Sequence, residues 1–177
     1  MPNSDSTSSA DTLSKILSYL VAATTILGIP VGLYGYLSSQ HANRVDRAFQ
    51  FYEDFRGATL QDDFNLLIEN WNAKADQAQQ LLVQNNSGGF TQLVGSLLQT
   101  DQEQAALNEI IQFFDGIYSC VGNSLCDNNA TIALLQEPAN QIYSAYGSYL
   151  ANAQQKNPNY AVGIVKIRAL PKTWSLP

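Results

Sequence analysis

Histidine and cysteine are scarce in this 177-residue chain, which contains one histidine, His41, and two cysteines. A single histidine, lying beside the hydrophobic segment, excludes a Ser-His-Asp or Cys-His arrangement within the domain and any metal site built from several histidines. Glu109 and Asp115 are six residues apart, so they do not share a helix face as a carboxylate pair would. The chain also lacks Walker, dinucleotide-binding and nucleophile-elbow motifs. We therefore expect a protein that is not an enzyme and that needs no cofactor or metal.

The two cysteines, Cys120 and Cys126, are too few for a disulfide scaffold, and two more ligands would be needed for a metal site. Their positions straddle the end of a predicted helix. We expect free thiols there, buried or in the loop. The alternative is a disulfide bond closing a small loop, which requires an oxidising compartment.

Charged residues are also few, at 14% of the chain against about a quarter in ordinary soluble domains. From Gly57 to Gln155, Lys74 is the only basic residue among ten acidic ones. The other basic residues flank this acidic stretch: Lys15, Arg44, Arg47, Arg56, Lys156, Lys166, Arg168 and Lys172. Because nucleic acid binding requires a cationic face that neutralises several phosphates, we exclude nucleic acid as a partner.

One long hydrophobic segment lies near the N-terminus, where Ile16 to Leu37 form 22 residues without a charge. As a helix this segment would be about 33 Å long, which matches a hydrocarbon core of about 30 Å. A cleaved signal peptide is one alternative, but Asp5 and Asp11 with a single Lys15 do not form its usual positive region. A buried helix of a soluble protein is the other alternative. We predict a membrane anchor over residues 15–40, preceded by a polar tail over residues 1–14.

The orientation of the anchor follows from the basic residues at its two ends. Lys15 stands alone on the N-terminal side, whereas Arg44, Arg47 and the more distant Arg56 follow the segment. Because basic residues are retained on the cytoplasmic side, this excess places the main domain in the cytoplasm.

Small residues within the anchor indicate contact with another membrane helix. Gly28 and Gly32 form a G-x-x-x-G pair on one helix face, Pro30 lies between them, and Gly35 follows. Such a face allows a second helix to approach closely. The partners we expect are the lipid bilayer itself and either other membrane protein subunits or a second copy of this chain.

Beyond the anchor, apolar residues recur with helical spacing. The first helix is expected to leave the bilayer and continue to Gly57. The pattern then predicts helices over Gln61–Gln84 and Phe90–Leu98, and a third long helix that begins with a capping box of Thr100 and Glu103 and ends near Gly122. A further helix covers about Asn129–Ala153, with a bend or restart at Pro138. The segment Tyr160–Leu170 is either a helix or an extended tail.

The expected fold class is therefore all-α, with a single N-terminal transmembrane helix continuing into a small antiparallel helical bundle. We assign residues 41–155 to the helical domain and residues 156–177 to a basic C-terminal tail. In a bundle that rises from the membrane and returns, Lys166, Arg168 and Lys172 come back near the bilayer. Together with Arg44 and Arg47 they would contact anionic headgroups or a partner. The alternative is an ordinary solvated tail.

The pattern Arg44-x-x-Arg47 and the segment from Ala106 to Tyr118, with Leu107-Asn108 before Asp115-Gly116, resemble a bacterial family of unknown function. That family has one N-terminal membrane helix and a small helical cytoplasmic domain. In this chain Ile111 occupies the position of an acidic residue that the family carries three residues after the asparagine. The resemblance implies this layout and no established activity.

From these features we expect a membrane-anchored, non-enzymatic interaction protein, such as an accessory or assembly subunit of a membrane protein complex. Its aromatic-rich domain would supply a docking surface. The alternative is a membrane-bound sensor or effector, in stress or phage defence, that acts by oligomerisation.

Overall fold

The computed structural model describes residues 34–171, and within this range every regular element is a helix. The expected all-α class is therefore confirmed. Within the same range, none of the helices has both the length and the apolar content required to cross a membrane. The predicted anchor lies mostly before residue 34, outside the described residues. The chain divides into two compact units, residues 1–42 and residues 43–177.

Seven helices are described, and they form a bundle in the second unit. They are α1 (residues 34–55), α2 (Ala58–Asn72), α3 (Ala75–Val83), α4 (Ser87–Ser96), α5 (Asp101–Gly122), α6 (Asn128–Lys156) and α7 (Val162–Ala169). The first helix ends just before Gly57, as the sequence predicts.

The segment predicted as one helix over Gln61–Gln84 forms two helices, α2 and α3. The chain departs from helical hydrogen bonding at Lys74, whose amide donates to the Trp71 carbonyl at 2.9 Å. No glycine or proline marks this break, so local propensity does not predict it. In α3 Ala78 is buried, whereas Leu82 is 60% exposed, although both lie on the apolar face that one continuous helix would have.

The third long helix, α5, begins with the predicted capping box. The Thr100 hydroxyl accepts from the Glu103 amide at 3.2 Å, and the Glu103 carboxylate accepts from the Thr100 amide at 2.9 Å. These two bonds satisfy amides that the first turn of a helix leaves without partners. The prediction is confirmed.

Pro138 does not restart a helix, because α6 continues through it from Asn128 to Lys156. A proline inside a helix costs about 3 kcal/mol. Burial of Leu135, Ala139 and Ile142 on both sides of Pro138 offsets that cost, since each of these side chains is fully enclosed. The expectation of a restart is wrong because tertiary packing outweighs the local penalty.

Residues 162–169 form the helix α7, which resolves the choice between a helix and an extended tail. Ile164 and Ile167 are completely buried in α7, which packs against both α5 and α6. Part of the segment assigned to a basic tail therefore belongs to the core. Its cationic residues Lys166 and Arg168 point outward from the same short helix.

The core lies around α5 and includes four aromatic rings, those of Phe55, Phe64, Phe114 and Tyr146, while most of the other rings in the described part of the chain are partly buried against it. Phe55 packs edge-on against Phe64, with ring centroids 5.3 Å apart, and lies 5.5 Å from Phe113. Phe55 and Phe64 are buried, and so is Tyr146, whose hydroxyl donates to the Leu67 carbonyl at 2.8 Å. These rings stabilise the bundle and are not presented at its surface.

Candidate functional site

The part of the predicted anchor that the structure describes, from Tyr34 onward, exposes large apolar side chains. Tyr34 is 77% exposed, Tyr36 is 60% exposed and Leu37 is 57% exposed. A Cβ atom added at Gly35 would meet nothing within 4 Å, so this small position is open as well. Gly28, Pro30, Gly32 and Lys172, the other predicted contact residues, lie outside the described range, as does residue 33 before Tyr34.

Cys120 and Cys126 form a disulfide bond, with their Cα atoms 5.3 Å apart. Our expectation of free thiols is wrong, and the alternative of a closed loop is what the structure shows. The physical reason is a tight reversal at the end of α5, where Ser124 adopts a left-handed backbone with φ of 56°. The Cys126 amide then donates to the Cys120 carbonyl at 3.2 Å, which brings the two side chains together.

The loop closed by this disulfide contacts α1 through the backbone. The Asp127 amide donates to the Arg44 carbonyl at 3.1 Å. Asp127 also begins α6, because its carboxylate accepts from the Ala130 amide at 2.8 Å. One loop therefore joins the end of α5, the start of α6 and Arg44, the first arginine after the hydrophobic segment.

The C-terminal end of α7 is held on α6 by one buried amide. The Gln136 side chain donates to the Arg168 carbonyl at 3.1 Å and to the Leu170 carbonyl at 2.9 Å. These carbonyls lie in the last turn of α7, where a helix leaves acceptors without internal partners. The Arg168 guanidinium lies 3.8 Å from the ring centroid of Tyr143, which is a cation–π contact.

We call Arg44 and the 120–127 loop the basal end of the bundle; the last turn of α7 is held farther along α6. Gln136 is eight residues after Asn128, or about 12 Å along α6. The arginines and the basic residues of α7 were predicted from sequence. The disulfide, the role of Gln136 and the contact of Asp127 with Arg44 were not, because each joins groups distant in space along different helices.

The carboxylate of Asp115 is partly buried between α5 and the start of α7. Its Oδ1 accepts from the Gly163 amide, at the start of α7. Burial raises the pKa of Asp115 above its ordinary value, and the hydrogen bond from Gly163 opposes that rise. The carboxylate therefore serves to hold α7, in a position where Gly163 lies so close to α5 that an added Cβ would be 2.2 Å from the Phe114 carbonyl oxygen.

A second polar contact fixes the segment before α7. The Tyr160 hydroxyl donates to Oδ1 of Asn108 at 3.1 Å, and the Gln154 side chain donates to the Tyr160 carbonyl at 2.8 Å. Burial, with a smaller effect of neighbouring Tyr149, raises the pKa of Tyr160. These groups are positioned to attach α7 to α5 and α6.

Metal-binding clusters are not formed by the described part of the chain, where no three His, Cys, Asp or Glu side chains come together. No family model matches the chain, and neither a curated protein nor a solved structure is found to match it. The resemblance carried by Arg44-x-x-Arg47 and by residues 106–118 therefore stays a prediction.

Proposed function

We propose that this chain is a membrane-anchored interaction protein without catalytic activity, an accessory or assembly subunit of a membrane protein complex. Residues 15–40 form the proposed single transmembrane anchor. The helical bundle that follows in sequence is the proposed interaction domain. One observation carries the proposal. The described end of the uncharged segment exposes Tyr34, Tyr36 and Leu37, each by more than half of its surface.

Exposed apolar side chains at this density require cover. Three of them fall within four residues, and they continue an uncharged run that begins at Ile16. Tyrosines are enriched where membrane helices meet water, because the ring is apolar and the hydroxyl is polar. In the proposal, a bilayer or a second helix within it covers these side chains.

The side of the membrane is a separate part of the proposal. The count of basic residues favours a cytoplasmic domain by a small margin, since Arg44, Arg47 and the more distant Arg56 oppose Lys15. The disulfide between Cys120 and Cys126 favours an oxidising compartment, because cytosolic thiols are kept reduced. A formed disulfide outweighs so small a margin, and we place the bundle on the extracytoplasmic side.

Thiol labelling in intact cells tests this placement. A membrane-impermeant maleimide of high mass is added to cells, with and without a membrane-impermeant reductant. We expect labelling only after reduction. Labelling without reductant only after the cells are lysed would instead show reduced thiols in the cytoplasm and would restore the placement that the arginines favour.

Crosslinking in native membranes, followed by mass analysis, tests the function. A fixed stoichiometric complex with other polypeptides supports the accessory subunit. A homo-oligomer alone would instead support the sensor or effector, and recovery of the chain from the soluble fraction would refute both.

The variant Gly32→Leu sharpens this experiment, because a large side chain closes the G-x-x-x-G face. Val31→Leu is the matched control, since Val31 is adjacent in sequence and would lie on a different face of the proposed helix. We expect Gly32→Leu to dissociate the crosslinked complex and Val31→Leu to leave it intact. Equal behaviour of the two variants would show that this face is not the contact.

A further inference from the structure

The turn between α3 and α4 holds an asparagine in a left-handed backbone conformation. Asn85 has φ of 51°, in the region that glycine and, after it, asparagine adopt most readily at helix ends. Its amide donates to the Leu82 carbonyl at 3.0 Å, and the Asn86 amide donates to the Leu81 carbonyl at 2.9 Å. These two bonds form the Schellman arrangement that ends a helix, and they fix the backbone at Asn85.

The two neighbouring asparagines use their side chains differently. The Asn86 side chain accepts from the Gly89 amide at 2.8 Å and so begins α4. The Asn85 side chain has no hydrogen-bond partner among the residues that the structure describes. Every residue from Leu82 to Gly88 is exposed. The side-chain amide of Asn85 is therefore presented to solvent from a fixed turn.

Asn85, Asn86 and Ser87 form an N-x-S sequon, the acceptor pattern of N-linked glycosylation, in which the middle residue is anything but proline. The enzyme that transfers the sugar also recognises the hydroxyl two residues after the asparagine. Ser87 is exposed at the start of α4, and within the described part of the chain its hydroxyl is unpaired. Both groups that the pattern requires are therefore accessible.

A second sequon, Asn129-Ala130-Thr131, lies in the first turn of α6 and serves as a comparison. Thr131 is completely buried, and its hydroxyl donates to the Asp127 carbonyl at 2.8 Å. An enzyme reaches that hydroxyl only before the bundle folds. The sequon at Asn85 is open both before and after folding, so the structure favours Asn85 as the acceptor.

Two exposed apolar side chains directly precede this acceptor. Leu82 is 60% exposed and Val83 is 78% exposed. An oligosaccharide on Asn85 would lie beside both of them, because they precede it by three residues and two residues. The C–H faces of its sugar rings would cover apolar surface, and its bulk would keep other proteins away from that surface.

We propose that Asn85 carries an N-linked oligosaccharide. The inference rests on the extracytoplasmic placement of the bundle proposed above, because N-linked glycans belong to chains that leave the cytoplasm. The sugar donor is an oligosaccharide linked through pyrophosphate to a membrane lipid.

The transfer exchanges one bond for another at the first sugar. Nδ2 of Asn85 forms a bond to the anomeric carbon, and the bond between that carbon and the pyrophosphate oxygen breaks. The lipid pyrophosphate leaves with the electron pair of the broken bond. The proton that Nδ2 loses passes to a base of the transferring enzyme, so no oxidant or reductant is needed.

Mass analysis of the full chain from native membranes tests the proposal. Chymotrypsin cleaves after leucine and phenylalanine, so cleavage after Leu82 and Phe90 releases a peptide of residues 83–90 that contains the sequon. We expect this peptide to carry the mass of an oligosaccharide, assigned to Asn85 by fragmentation that leaves the bond between sugar and asparagine intact. An unmodified peptide, or a glycan found at Asn129 instead, would overturn the inference.

Substitutions at two positions separate the acceptor chemistry from folding. Asn85→Asp keeps the size of the side chain and its tolerance of the left-handed conformation but removes the nucleophilic nitrogen. Ser87→Ala removes the hydroxyl, and Ser87→Thr is the matched control that retains it. We expect the mobility shift caused by the glycan to be lost completely in the first two variants and kept in Ser87→Thr. A shift that persists in Asn85→Asp would contradict the assignment.

Thiol labelling of intact cells distinguishes failure of this inference from failure of the placement. If Cys120 and Cys126 are labelled from outside after reduction while residues 83–90 are unmodified, the placement stands and the glycan is refuted. Thiols that are labelled without reductant only after lysis would refute the placement, and the glycan with it.

Discussion

Reduction of the disulfide between Cys120 and Cys126 is expected to lower the free energy of unfolding by about 2 kcal/mol. The two cysteines are six residues apart in sequence, so the bond closes a short loop in the unfolded chain. Cross-linking removes conformations from the unfolded state in proportion to the logarithm of loop length, which limits the effect of a short loop to about this value.

Urea denaturation of the full chain in detergent, followed by circular dichroism, measures this change. With a slope of about 2 kcal/mol per molar, the reduced chain should unfold at about 1 M less urea than the oxidised chain. The double variant Cys120→Ser/Cys126→Ser is the control. It should unfold near the midpoint of the reduced chain and should not respond to reductant.

Hydrogen exchange locates the same effect within the structure. The Asp127 amide, bonded to the Arg44 carbonyl, should exchange faster after reduction because the loop that positions it is released. Amides in the centre of α5, near the buried Phe114, should change only by the global loss of stability. Identical urea midpoints and identical exchange at Asp127 before and after reduction would refute the reasoning.

Three other substitutions test the packing of the bundle. Gly163→Ala should lower the free energy of unfolding by about 3 kcal/mol, because the added Cβ would overlap the backbone of α5. Gly95→Ala, in open space within α4, should raise the free energy of unfolding by about 0.5 kcal/mol or more. Thermal unfolding that ranks the two variants otherwise would contradict the geometry. Tyr146→Phe should cost about 1 kcal/mol in urea denaturation, since a buried hydrogen bond of 2.8 Å to the Leu67 carbonyl is lost, and an unchanged midpoint would contradict this. Because the pKa of Asp115 is raised above 3.8, the folded chain binds more protons than the unfolded chain just above that value. The stability that this group contributes therefore falls as pH increases through the raised pKa. Asp115→Asn should flatten the pH dependence of the free energy of unfolding, measured with urea between about pH 4 and 7, and an unaltered pH profile would refute the assignment.

Features that depend on neighbouring residues were predictable from the sequence. The capping box of Thr100 and Glu103 needs only two side chains three residues apart, and it opens α5 as expected. Gly57 and Gly122 mark helix ends for the same local reason. The distribution of charge is also a property of the sequence, so the acidic middle and the basic flanks were evident before any coordinates.

Features that depend on distant contacts were not predictable. The break between α2 and α3 at Lys74 has no local signal, and α6 continues through Pro138 against its local signal. At Pro138 burial in the core decides the conformation, because enclosing several apolar side chains outweighs a local penalty of about 3 kcal/mol.

The candidate site divides in the same way. Arg44, Arg47, Lys166 and Arg168 were identified from their positions beside an uncharged segment and near the chain end. The contact of the 120–127 loop with α1 and the attachment of α7 to α6 became visible only in the tertiary structure.

The sequence by itself determined the all-helical class, the uncharged segment from Ile16 to Leu37 and the sign of charge along the chain, because composition and short-range spacing suffice for each. Only the tertiary structure decided that Cys120 and Cys126 are bonded and that α7 belongs to the core. Each of these depends on where separate helices pack, which no local pattern specifies.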